Sequence, residues 1–193
     1  KPFGNQWSSR SHADMNDERG LSVKGYVQVY IGDGKGKTTA ALGLIVRAAG
    51  AGLRVYMAQF LKGKNTGEFR ILRKRFPEVM VETFGTGCFV RRGPSAADIR
   101  AARRGLTRLH EALTGGGYDV VIADEINDAV AVGVLELEDV LALLELRPDN
   151  VELVLTGRPA HRKVIALADL VTGMRCVKHY YDKGVRARVG IEK

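Results

Sequence analysis

The stretch GDGKGKTTAA, Gly32 to Ala41, constrains this chain more than any other. It follows the β-rich run YVQVYI (26–31). It opens a run rich in Ala and Leu, from Lys37 to about Ala51, that stops at Gly50 and Gly52. A glycine loop between a strand and a helix start is where backbone N–H groups can converge on a phosphate. Glycines permit the tight curl, and the helix N-terminus adds partial positive charge. Lys37 supplies a full charge to the terminal phosphates, and Thr38 offers a hydroxyl to a magnesium ion. Gly32, Asp33, Gly34, Lys35, Gly36, Lys37, Thr38 and Thr39 therefore form the candidate nucleotide cradle. The usual spacing is G-x-x-x-x-G-K-[ST]. Here Gly32 and Gly36 enclose three residues instead of four. The loop is tight, and a phosphate chain need not lie in it as it does in a GTPase. Lys35 adds charge inside the loop. Arg47, eight residues after Thr39 and about two helical turns on, reads either as a nucleotide contact or as a surface arginine.

Beyond this loop the pattern alternates strand and helix. RVYMAQFL (54–61), VMVETF (79–84), YDVVIAD (118–124), VELVLTG (151–157) and LVTGMRCVK (170–178) read as strands. Helices are expected around 67–76, from Pro94–Ser95 to about Leu113, over 136–146 and over 160–168. The second of these carries a cap-like start, with Asp98 three residues after Ser95. Strands alternating with helices imply parallel pairing with helical crossovers, covered on both faces. The continuous apolar run VVIA fits a strand buried on both sides. The class is therefore α/β, a P-loop NTPase-like (RecA-like), mostly parallel sheet, with the ligand beyond the carboxyl ends of the strands.

One of those ends carries acid. VVIADE (120–125) is an apolar strand terminating in Asp124 and Glu125, the arrangement that brings a carboxylate beside a phosphate loop. Either residue is a candidate to hold magnesium, directly or through water. An acid in that place could equally activate a water molecule.

The 193 residues allow one domain, expected over 21–193. Residues 1–20 are polar, without hydrophobic period, and read as a flexible arm. Lys1 to about Asp14 is expected to be foreign to the natural chain, with Met15 its start; the alternative is a native arm that orders on a ligand. No run approaches a membrane span. Two cysteines exclude a disulfide framework and a four-cysteine zinc site. With no secretory signal in view, the expected location is the cytoplasm. Lys and Arg total 30 against 22 Asp and Glu, a net charge of +8. That suits a polyanionic ligand, but the charges are dispersed and lack the aromatic interleaving of a single-strand binder.

Several motifs in one order carry a family resemblance: GDGKGKTTAA (32–41), QFLKG (59–63), DEIN (124–127), LTGRPAH (155–161), ADLVTGMR (168–175) and KHYYDKGVRARVGIEK (178–193). Together, from about Gly25 to the C-terminus, they resemble the phosphate-loop type of ATP:corrinoid adenosyltransferase, acting on cob(I)alamin or cob(I)yrinic acid a,c-diamide. The resemblance implies that Co(I) of the corrinoid attacks the ribose 5′ carbon of ATP and expels the whole triphosphate. It implies that ATP lies reversed in its loop, offering that carbon outward. Lys37, Thr38 and Glu125 are then the residues expected to act in the reaction. Mg2+ or Mn2+ is expected on Thr38, Glu125 and Asp124, and Arg158 of LTGRPAH is expected on phosphate. In the family, aromatic residues after the third strand lie beneath the corrin and displace its lower axial ligand. Here that turn is FGTGCFV (84–90), so Phe84, Gly87, Cys88 and Phe89 are the corrinoid candidates, with Phe89 as the wedge. Where many relatives carry Phe and Trp around one residue, this chain has Cys88 and Val90. Phe84 and Phe89 can also be read as core, Cys88 as a small buried thiol, and His161 and His179 as hydrogen-bonded structural groups. A homodimer and a reducing flavoprotein are implied partners, and nucleic acid and membrane are not. The lid that relatives close over the corrinoid is expected to be missing or residual. Two readings stand beside the enzyme: a RecA-like ATPase acting on nucleic acid, and a nucleotide-gated carrier.

Overall fold

The computed structural model describes residues 24–63, 66–86 and 93–192. Six strands form one sheet: β1 (Val27–Ile31), β2 (Val55–Phe60), β3 (Val79–Phe84), β4 (Val120–Asp124), β5 (Glu152–Thr156) and β6 (Leu170–Gly173). Their spatial order is β3-β2-β4-β5-β1-β6. Every pairing is parallel. All strand C-termini therefore meet on one edge, and the glycine loop, the two acids and the LTGR turn meet there too.

The strands alternate their side chains between two cores. Tyr56, Ala58 and Phe60 of β2, with Val121 and Ala123 of β4, join the first. That core is closed by α3 (Ala96–Thr114), α4 (Ile126–Ala131), α5 (Leu137–Leu146) and α6 (Arg162–Leu167) through residues such as Leu109, Ile126, Leu143 and Val164. Val55 and Met57, with Val120 and Ile122, face the second core, closed by Ala41 and Ile45 of α1 (Lys37–Gly50) and by Phe69 and Leu72 of α2 (Gly67–Arg75). Burial on both faces is why β2 and β4 read as unbroken apolar runs.

The expected cap of α3 is present as a reciprocal box between Ser95 and Asp98. Three features differ from the sequence reading. The last strand stops at Gly173 instead of reaching Lys178, because the chain leaves the sheet to cross over the glycine loop. A short 3-10 turn, Tyr180–Lys183, follows. Helix α4 was not expected. Its six residues follow Glu125, which stands at the cap in the left-handed region with no side-chain cap to advertise them.

Candidate functional site

The glycine loop is held from three sides. Gly32 N–H donates to Arg158 O at 2.9 Å, and Gly34 N–H donates to Met174 O at 2.7 Å. Asp33 Oδ1 accepts from Cys176 N–H at 3.2 Å. The Lys37 ammonium folds back over the curl, 2.5 Å from Gly32 O and 2.9 Å from Gly34 O. Gly32 has φ 105°, and a Cβ there would stand 2.3 Å from Met174 O. A Cβ on Gly34 would stand 2.7 Å from the same oxygen. These glycines thus answer a protein strap as well as a phosphate: the chain after β6 presses directly on the loop.

Beneath the loop, Asp124 is fully buried at the tip of β4. Its Oδ1 accepts from Thr38 Oγ1 at 2.9 Å and from Thr156 Oγ1 at 2.7 Å. Its Oδ2 accepts from Lys62 Nζ at 2.8 Å and Gln59 Nε2 at 3.2 Å. Four side chains from β2, β5, the loop and the turn after β2 therefore converge on one carboxylate and satisfy its oxygens without solvent. Lys62 Nζ also lies 3.1 Å from Thr38 Oγ1 and 3.4 Å from Glu125 Oε1. Burial disfavours the Lys62 charge, but Asp124 and Glu125 outweigh it and raise its pKa above the ordinary value.

Two non-glycine residues have positive φ among those described: Leu61 at 59° and Glu125 at 62°. They follow the ends of adjacent strands, β2 and β4. Left-handed backbone costs a non-glycine residue roughly 1–3 kcal/mol, and it persists where surroundings enforce it. Leu61 turns the chain so that Lys62 reaches the acids, and Glu125 turns it into α4. Burial raises the Glu125 pKa; Lys62 opposes the shift, and Asp124 and Asp128 add to it. Asp128, on α4, has its pKa raised chiefly by burial, while its Oδ2 accepts Arg158 N–H at 3.0 Å. Lys37 is lowered by burial and by Arg158, against Asp128, Asp33 and Glu125.

The residues present fit a magnesium-like ion that arrives with phosphate. Thr38 Oγ1, Asp124 and Glu125 are hard oxygen donors beside a loop. Among the described residues no group of three or more His, Cys, Asp or Glu is placed to hold a metal unaided. Phosphate oxygens and water would have to complete the shell, as magnesium prefers. Gln59 Oε1 is a buried acceptor with no hydrogen-bond partner, which suits a retained water shell.

Of the expected site residues, Gly32 to Thr38, Asp124, Glu125 and Arg158 come together at this edge, and Thr39 follows Thr38 in the first turn of α1. Lys35 sits at the margin, 3.6 Å from Glu192 Oε1. Arg47 does not join them. It lies in the last turn of α1, about 15 Å along the axis from Lys37. Its charge bears on Tyr30, whose hydroxyl faces Gln28 and Glu152 at the far end of the sheet. Phe84 is a core residue, 8% exposed, with its ring centroid 6.1 Å from that of Phe60. Gly87, Cys88 and Phe89 lie outside the described residues. His161 and His179 accept backbone N–H groups of Lys163 and Tyr181 and so cap short helical turns. The sequence reading passed over Lys62, Gln59, Thr156 and Asp128. The signal for Gln59 and Thr156 was a polar residue inside an apolar strand, which needs a buried partner.

A sequence model of the family described as ATP:corrinoid adenosyltransferase BtuR/CobO/CobP matches residues 23–192. The corrinoid adenosyltransferase of Escherichia coli K12 is 38% identical over 181 residues, covering 93% of this chain and 89% of its own length. Corrinoid adenosyltransferase CobA of Salmonella typhimurium LT2 is 38% identical over 183 residues, with the same coverages of 93% and 89%. A corrinoid adenosyltransferase of a Sinorhizobium species is 34% identical over 183 residues, covering 93% and 83%. Among solved structures, a KaiC-like protein of Pyrococcus horikoshii OT3 superposes with a TM-score of 0.53 at 16% identity, over 83% of this chain and 77% of its own. The RadB recombinase gives 0.52 at 11% identity, over 81% and 77%. At such identities these two likenesses show the RecA-like fold alone.

Proposed function

The chain belongs to the ATP:corrinoid adenosyltransferase family, and from that premise we propose how its own residues carry the reaction. The enzyme moves the 5′-deoxyadenosyl group of ATP onto Co(I) of a corrinoid and releases triphosphate. The nucleic-acid ATPase reading is not favoured: the likeness to recombinase-type proteins extends to the fold only.

The observation that best supports the reading is the state of Asp124. A hydrolase needs a carboxylate or amide with a free lone pair to orient water. Asp124 is fully buried, and its two oxygens accept from four donors, so it is not placed to orient a water molecule. Adenosyl transfer needs neither base nor protein nucleophile, because cobalt is the nucleophile and no proton leaves. The protein's tasks are to hold the 5′ carbon in line with cobalt, worth roughly 7–11 kcal/mol, and to stabilise the departing triphosphate.

In this reading the loop amides and Lys37 take the triphosphate, with Lys35 and Arg158 at its margins. Mg2+ or Mn2+ would be held by Thr38 and Glu125, with Asp124 orienting Thr38, and would neutralise triphosphate charge when bound. Gly87, Cys88 and Phe89, which come after β3 in the chain, are the residues proposed for the corrinoid side, with Phe89 as the wedge beneath the ring. A reducing flavoprotein supplies the electron, the working form is a homodimer, and the setting is the cytoplasm. No described helix is long and apolar enough to cross a membrane.

The test is the phosphorus product. With ATP, Mg2+ and chemically reduced cobalamin or its incomplete precursor, inorganic triphosphate should appear only when the corrinoid is present. Orthophosphate formed without corrinoid would overturn the reading.

A further inference from the structure

The side chain that stands where the metal would go is Lys62. Its ammonium is within 3.4 Å of all three oxygen-bearing groups of the candidate cation site: Asp124 Oδ2 at 2.8 Å, Thr38 Oγ1 at 3.1 Å and Glu125 Oε1 at 3.4 Å. An ammonium and a divalent ion cannot share that position, since like charges a few ångströms apart repel strongly in a half-buried site.

We propose that Lys62 is the site's resident counter-cation, which excludes a free divalent ion and yields its place only when triphosphate arrives with the metal. The inference rests on reading this loop as the metal–triphosphate site, and it makes Lys62 a positioning residue.

The backbone shows how Lys62 is brought there. Leu61 adopts φ 59° directly after the buried strand β2, which redirects the chain across the sheet edge. Gly85 lies so close that a Cβ on it would stand 2.3 Å from Leu61 C and 2.5 Å from Lys62 N. The peptide is thus clamped between two strand ends, and the moving part is the four-carbon stem with its compact charge. Without a counter-cation, Asp124 and Glu125 would face each other unneutralised at the end of an apolar strand. With Lys62 in place one of those two charges is offset at rest. A bare divalent ion must then displace a cation that has nowhere better to go. Magnesium triphosphate keeps a net negative charge, and so offers the ammonium a new partner as it leaves. Metal and nucleotide thereby bind as a unit, and the ammonium ends on the group whose charge grows in the reaction.

The test uses the full chain with Mn2+ and inorganic triphosphate as probes, and no corrinoid. Mn2+ binding without triphosphate, followed by the free-ion electron paramagnetic resonance signal, should be at least about tenfold tighter in Lys62→Met than in the wild type. The thermal midpoint of Lys62→Met should fall without divalent ion and recover as Mn2+ is added. Equal Mn2+ affinities, or a lost midpoint that Mn2+ does not restore, would mean an ordinary structural ion pair and overturn the proposal. The wild type gives a second reading that does not depend on the variant's folding. The Lys62 13Cε resonance, assigned by its absence in Lys62→Arg, should shift when Mg2+ and triphosphate are added together, and less with Mg2+ alone. A resonance unmoved by both would overturn the proposal. Adenosyl transfer is assayed separately, so failure of the proposed function and failure of the Lys62 mechanism are told apart.

Discussion

Thr38 Oγ1 and Asp124 Oδ1, 86 residues apart in the chain, are 2.9 Å apart in the fold. The bond spans β5, which lies between the strand that feeds the loop and the strand that ends in acid. Thr156 of β5 completes the bridge by donating to the same oxygen at 2.7 Å. Asp124 is therefore the fixed point to which loop, sheet and Lys62 are tied, whereas its neighbour Glu125 is partly exposed. Asp124→Asn would replace an acceptor with an amide facing several donors, so it should destabilise the fold by about 3 kcal/mol. Glu125→Gln should leave the urea midpoint close to wild type and lower adenosyl transfer at least about tenfold. A comparison of urea midpoints and rates for the two variants checks the division of labour.

Among the described residues, Lys37 donates its hydrogen bonds to the loop carbonyls Gly32 O and Gly34 O. Its removal takes no support from either core. Lys37→Ala should keep the far-ultraviolet spectrum and melting cooperativity, and lower the rate of triphosphate release about a hundredfold or more. An unchanged rate would remove the loop from the mechanism.

Partial burial pushes the Asp128 pKa above the usual Asp value. A carboxyl whose pKa is raised by folding favours the native state while protonated, below its unfolded pKa. That advantage is lost as pH rises through the folded value. At neutral pH the charged form is therefore a cost. Asp128→Asn keeps an oxygen to accept the Arg158 N–H and removes the charge. Its melting temperature should exceed that of wild type at pH 7–8, and the gain should disappear as the pH is lowered below about 4, the unperturbed range of Asp. Thermal melts across that range check the sign.

The order of elements was legible because it rests on local signals. Two-sided burial makes β2 and β4 continuous apolar runs, and Ser95 with Asp98 announces α3. The loop and the acid pair were legible because glycine spacing and a strand-terminal Asp-Glu are chemical patterns. What escaped is long-range. Lys62 stood in view within QFLKG, but its meaning depends on β2 lying next to β4, and pairing order is not written in either strand. Of the two readings of Arg47, the exposed position in the last turn of α1 fits the surface arginine: helical periodicity gives a face but not a distance. Helix α4 escaped because it begins at a residue in the left-handed region, where no capping side chain marks the start. The strap over the loop escaped because Met174 acts through its backbone, Gly34 N–H to Met174 O, and leaves no side-chain signature.

Two helical glycines separate intrinsic preference from packing. Gly43 lies on the exposed side of α1, and a Cβ there would meet nothing within 4 Å. Gly105 lies in α3, buried, and a Cβ there would stand 2.8 Å from ring carbons of both Phe60 and Phe84. Alanine gains about 1 kcal/mol over glycine in a helix interior at either position. At Gly43 that gain is unopposed, so Gly43→Ala should raise stability by roughly 0.5–1 kcal/mol. At Gly105 the same gain meets two rings that are themselves buried and cannot retreat, and overpacking of this kind costs typically 1–3 kcal/mol. Gly105→Ala should therefore lower the urea midpoint. It should also disturb the end of β3, where Phe84 precedes the residues proposed for the corrinoid. The transfer rate should then fall more steeply with corrinoid concentration held low than with it saturating. If Gly105→Ala proves as stable as Gly43→Ala, α3 does not press on Phe60 and Phe84 as closely as these distances require.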